Sequence, residues 1–105
     1  MKKKIDQITI IGKRWFERSG GNTYHSCEVF VNGQSIGYKP FTYGYEEAYK
    51  QTALTILQEA GYFKHTGESL KSGANKDYYE FTMDMRENRN KYVISVSDVS
   101  RKKDL

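Results

Sequence analysis

The amino-acid sequence predicts an α+β domain, a two-layer arrangement in which an antiparallel sheet packs on one helix in the order β-β-β-α-β-β. Three observations lead there. Residues 7–41 alternate between apolar and polar positions and are interrupted by Ser19-Gly20-Gly21-Asn22 and by Asn32-Gly33. Residues 45–60 change to a 3.6-residue period. Residues 78–97 then return to alternation. With 105 residues the chain has room for one domain, 1–105, and not for two.

The first strand is expected over residues 7–17, where Ile8 and Ile10 face one way and Thr9, Ile11 and Trp15 the other. The second covers 23–32. There His25, Cys27, Val29 and Val31 share one face, while Tyr24, Ser26, Glu28 and Phe30 share the opposite one. Asn32-Gly33 is a strong hairpin signal, since a type I′ turn requires positive φ at both central residues. A third strand over 35–41 completes a meander and ends near Pro40-Phe41.

Tyr45, Ala48, Tyr49, Thr52, Ala53, Ile56, Leu57 and Ala60 form one continuous helical stripe. Glu46 and Glu47 are expected in the first turn, at the positive end of the helix dipole, and Gly61 at the left-handed residue that ends the helix. Residues 64–76 are polar apart from Leu70 and read as a mobile loop. Two strands follow, 78–86 and 91–97, joined by a hairpin at Glu87-Asn88-Arg89-Asn90. Residues 1–4 and 100–105 are expected to fray.

Composition narrows the function classes. The chain is 37% hydrophobic and 14% aromatic, which excludes a disordered tail. Its apolar runs all fall short of the roughly 18 residues of a membrane span, so no membrane partner is expected. Met1-Lys2-Lys3-Lys4 leads into Ile5-Asp6-Gln7 and not into an apolar segment, so a signal peptide is not expected. A single cysteine, Cys27, points to a reducing cytoplasm. The net charge is +4, and residues 1–18 carry six basic side chains against Asp6 and Glu17. Such a basic segment attracts phosphates.

Catalysis finds little support. Cys27 alternates inward with Val29 and Val31, as an inert buried thiol does, and no third group orients a Cys27–His25 dyad. One cysteine and two histidines, His25 and His65, give no zinc-ligand spacing, and no phosphate-binding glycine motif occurs. The expectation is a non-enzymatic protein with no catalytic residues, no cofactor and no metal.

The basic and aromatic residues of the first hairpin are the candidate site. Lys13, Arg14, Trp15 and Arg18 run into the Gly20-Gly21 turn, and the chain returns through Asn22, Tyr24 and His25. Flat rings stack bases while neighbouring cations hold phosphates, so nucleic acid or a nucleotide is the expected ligand. Cross-strand packing alone also accounts for Trp15 and Tyr24. Tyr43, at the strand-to-helix junction, joins the set through a hydroxyl near helix N-terminal N–H groups, although Glu46 and Glu47 compete for that position. An alternative is a protein-interaction module, with Tyr24, Phe30, Tyr78 and the 64–76 loop as interface. A second copy of the chain across those same aromatics is a further partner to consider.

Arg14-Trp15-Phe16, Gly21-Asn22-Thr23-Tyr24-His25 and Pro40-Phe41-Thr42-Tyr43-Gly44-Tyr45 resemble segments of short uncharacterised proteins encoded by bacteriophages and prophages. The resemblance covers about residues 5–62 and implies a phage accessory protein acting in the host cytoplasm. By association it also implies a DNA-transaction factor or an inhibitor of a host defence protein. Three strands followed by a helix are also similar in topology to AP2-type and integrase N-terminal domains. That likeness implies a positive face from Arg14, Arg18 and Lys39, with Glu17 and Glu28 as departures.

Overall fold

A computed structural model describes residues 5–44 and 46–105. Lys2, Lys3 and Lys4 of the basic segment and Tyr45, the first position of the helical stripe, lie outside the described residues. The elements are β1 (Ile8–Glu17), β2 (Asn22–Val31), β3 (Gln34–Tyr43), α1 (Ala48–Glu59), α2 (Lys76–Glu87) and β4 (Tyr92–Val99), with 3₁₀ turns at Arg89–Lys91 and Lys102–Asp104. The sheet order is β3-β2-β1-β4, and a helix layer covers one face, so the α+β class holds. No helix among the described residues is long and apolar enough to cross a membrane.

The meander forms as the sequence dictates. Asn32 and Gly33 adopt φ of 53° and 83°, the positive values that a type I′ turn needs. The Asn32 side chain accepts hydrogen bonds from the Asp6 and Gln7 backbone N–H groups at 2.8 and 3.0 Å, which ties the start of β1 to the turn. Ile8 and Ile10 of β1 meet Cys27, Val29 and Val31 of β2 under Tyr49, Ala53, Leu54, Ile56 and Leu57 of α1. Two glycines let the helix come this close. A Cβ on Gly12 would lie 2.8 Å from Tyr49 Cδ2, and one on Gly37 would lie 2.6 Å from Ile56 Cγ2.

Helix α1 starts at Ala48, so Glu46 and Glu47 precede it and do not fill its first turn. The chain needs Gly44 (φ 143°) and Glu46 (φ 57°) to turn out of β3, which consumes the residues that the dipole argument assigned to the helix. Its other end closes as expected. Gly61 N–H donates to Gln58 O at 3.0 Å and Tyr62 N–H to Leu57 O at 2.8 Å, the paired bonds of a Schellman motif around a left-handed glycine.

The second half departs from the expected five strands. Residues 76–87 form a helix, not the strand expected over 78–86. The Asn75 side chain accepts from Tyr78 N–H at 2.9 Å, Asp77 sits in the first turn and Arg86 in the last, so both ends suit the dipole. Phe81 is fully buried and meets Phe63 and Tyr92 edge-to-face at 5.4 and 6.1 Å. The period-two pattern of Tyr79, Phe81, Met83 and Met85 was therefore coincidental, since Tyr79 stands exposed while Phe81 is enclosed. The expected hairpin at 87–90 is replaced by the helix end and a 3₁₀ turn, which lets β4 run parallel to β1.

Hydrogen bonds pin α2 at both ends. Asp77 accepts from Thr66 Oγ1 at 2.6 Å and from Thr66 N–H at 2.8 Å, and these bonds hold its carboxyl below the ordinary carboxylate range. Through Asp77 the connector is tied to the helix, and it also carries its own bridge between Ser69 and Asn75. At the other end Asp84 accepts from the Tyr92 hydroxyl, from Lys91 Nζ at 2.9 Å and from Asn88 Nδ2 at 2.7 Å.

Candidate functional site

Alternation along β1 and β2 divides the predicted residues between two faces. Lys13 pairs with Ser26 and Trp15 with Tyr24, so these four face away from the helices. Arg14 pairs with His25, and both lie on the helix-covered face. The hairpin therefore does not present Lys13, Arg14, Trp15, Tyr24 and His25 together. Asn22 pairs with Glu17 at the hairpin end, and Arg18 is exposed in the turn.

Arg14 is held within the fold. Its Nε donates to Asp98 Oδ1 of β4 at 2.8 Å, and Nη1 donates to Glu46 O at 3.2 Å. It lines a cavity of about 360 Å³ with Phe16, Thr23, Glu46, Asp98 and Val99. Lys39, the third member of the suggested positive face, forms an ion pair with Glu59 of α1 at 3.1 Å.

His25 is 1% exposed and has both ring nitrogens occupied. Gly44 O accepts at 3.1 Å, so Nδ1 carries the proton, and Nε2 accepts from the Thr52 hydroxyl at 2.6 Å. Burial lowers its pKa against the opposing pull of the Gly44 bond. The neutral imidazole thus links β2, the β3–α1 turn and α1. Cys27, two residues on, is buried, and burial followed by the Glu28 charge pushes its thiol up to about 12. That thiol stays protonated and unreactive at neutral pH.

The His25 shift has a testable sign. An unfolded histidine takes up a proton near pH 6.5, while the folded ring resists it until lower pH. The contribution of His25 is therefore complete above about pH 6.5 and is lost as the pH falls toward the lowered folded value. Thermal unfolding should show a drop in melting temperature between about pH 7.5 and 5.5 that is reduced in His25→Gln. Equal slopes in the two proteins would show that the ring titrates freely.

The face away from the helices brings together what the sequence left scattered. Trp15 and Tyr24 stack at 5.9 Å and 27°, and Tyr24 and Phe41 at 4.4 Å and 18°. Tyr43 meets Tyr24 edge-on at 5.7 Å. These rings come from β1, β2 and β3 and form one row across the strands. A register shift between His25 and Cys27 makes the row, because the extra residue in β3 sets Phe41 beside Tyr24. Phe41 is 43% exposed and Tyr43 65%.

Residues 100–105 also reach this face. Lys102 Nζ lies 4.7 Å from the centroid of the Phe41 ring, and the Tyr38 hydroxyl donates to Leu105 O at 3.2 Å. Sequence alone predicts a fraying tail here and leaves Phe41 outside the candidate site. The Pro40-Phe41 pair near the end of β3 was the available signal, since proline in a strand marks an irregularity. Tyr78, expected beside Tyr24 and Phe30, belongs to α2 and packs against the core from the opposite side.

Among the described residues, no three His, Cys, Asp or Glu side chains gather as a metal site. In comparisons with known proteins the chain matches no family model, no curated protein and no solved structure.

Proposed function

We propose that this chain is a non-enzymatic binder of single-stranded nucleic acid and that its ligand lies across the aromatic row. The observation that carries this reading is the stack of Trp15, Tyr24 and Phe41 on the face without helices, with Tyr43 exposed beside it. Tyr24 is enclosed between two rings, so the outer side of Phe41 and the ring of Tyr43 remain for bases. Lys102 now occupies the Phe41 side. A cation over an exposed ring contributes only about 0.5–1 kcal/mol, against about 1–3 kcal/mol for a stacked base. A base therefore displaces Lys102, whose ammonium then serves a phosphate.

Lys13 stands on the same face as Trp15, and Arg18 and Lys103 lie exposed nearby in sequence. Glu17 shares the parity of Trp15, while Glu28 accepts a hydrogen bond from Ser35 at 2.8 Å. Rings that need unpaired bases favour single strands over duplex.

Fluorescence anisotropy with short labelled single-stranded and duplex oligonucleotides, at about 50 and 200 mM salt, tests the reading. Single strands should bind more tightly than duplex, weaken with salt and quench Trp15. Lys13→Ala should flatten the salt dependence by about 0.7 in log–log slope. Absence of binding at the lower salt would return the basic residues to a solubility role and favour a protein partner for the exposed aromatics.

A further inference from the structure

We propose that β4 is a self-association edge, along which two copies of this chain pair antiparallel and join their four-stranded sheets into one of eight. The two edges of the sheet differ in kind. On the β3 edge there are two register shifts against β2, a proline at Pro40 and a lysine at Lys39. Bulges, proline and lysine are the features that keep a sheet edge from pairing. The β4 edge has none of them. It runs in unbroken register with β1 from Ile8↔Tyr92 to Trp15↔Val99, and its sequence YVISVSDV contains neither proline nor glycine.

Alternate residues of such an edge turn their N–H and C=O groups outward, available to another strand. Side chains add to the exposure. Ile94 and Val96 stand on the helix side of the sheet at 38% and 39% exposed, and Val93 on the other side at 45%. The helix layer rests mainly on β1, β2 and β3, and beyond Tyr92, which meets Phe81 of α2, this strand is left uncovered.

The strand's own pattern selects a second copy as the occupant. Antiparallel pairing centred on Ser95 sets Ile94 opposite Val96 of the other copy, and Val96 opposite Ile94. Each exposed apolar side chain on the helix side thereby gains a β-branched partner. Val93 falls opposite Ser97, and residues of like parity always meet, so helix faces join helix faces. Within the strand, charge does not oppose this pairing: Asp98, the only charged residue of β4, is already held by Arg14, and Lys91, which precedes the strand, by Asp84. The arrangement is a closed two-fold, because each copy uses up its β4 edge and β3 resists further pairing.

Light scattering on the purified chain should give twice the 12.2 kDa chain mass. Val96→Lys should return it to the monomer mass with an unchanged circular dichroism spectrum. Ser95→Cys places each thiol opposite its own copy, and mild oxidation should link the dimer. Ser97→Cys, opposite Val93, should link poorly, and Cys27 stays out because it is buried. A monomeric wild-type chain overturns the proposal. So does a dimer that survives Val96→Lys and links no better at position 95 than at 97. Should Val96→Lys fail to fold, the comparison of the two cysteine variants decides.

Discussion

Replacing Phe81 with alanine should lower the stability of this protein by about 3–5 kcal/mol. Folded domains of this size hold roughly 5–15 kcal/mol in total, so the variant should melt more than about 10 °C lower. The expectation rests on how little else anchors α2 through apolar contact. Among the described residues Phe81 is the one apolar side chain that this helix buries fully. It fills the space between Phe63 and Tyr92, and truncation leaves a cavity that two edge-on rings cannot collapse into. The polar pins at Asp77 and Asp84 hold the helix ends but exclude little water from its middle. Urea unfolding followed by circular dichroism measures the loss. A change below about 1 kcal/mol would mean that the ring is not enclosed, and the packing of α2 would have to be redrawn.

Phe41→Ala together with Tyr43→Ala should weaken binding of a single-stranded oligonucleotide by at least about tenfold, since each lost base stack is worth about 1–3 kcal/mol. Both rings are substantially exposed, so stability should fall far less than in Phe81→Ala. The Phe41–Tyr24 contact accounts for about 0.5–1.5 kcal/mol of that smaller loss. The contrast separates the two roles: Phe81 supports the fold, and Phe41 the surface. Anisotropy titrations on a variant whose melting curve is cooperative supply the measurement. Binding within twofold of wild type would remove the aromatic row as the ligand face, whatever the salt dependence of the wild-type chain.

The two halves of the chain differed in how much their sequence disclosed. From Ile8 to Val31 each side chain's face follows from alternation alone, and Asn32-Gly33 fixes the hairpin register. The α1 stripe and Gly61 are equally local in origin. Residues 76–87 lacked such a guide. Their aromatic and methionine positions fit a period of two as well as a helical turn, and the helical signals, Asn75 and Asp77, lie just ahead of the expected strand. The candidate site divided along the same line. The parity of Lys13 and Trp15 against Arg14 and His25 was present in the alternation, yet nearness in sequence grouped all four.

What the sequence by itself determined is therefore the local geometry: the meander, its tight turn, the first helix and the α+β class. Periodicity and turn chemistry are properties of a few neighbouring residues, and they act before any long-range contact forms. Only the tertiary structure decided that β4 lies parallel beside β1, that Arg14 is bound to Asp98, and that Phe41 stacks on Tyr24 under Lys102. Each of those joins residues far apart in the chain. Their meeting depends on how two helices share one sheet face and on a register shift in β3, and no local pattern encodes either.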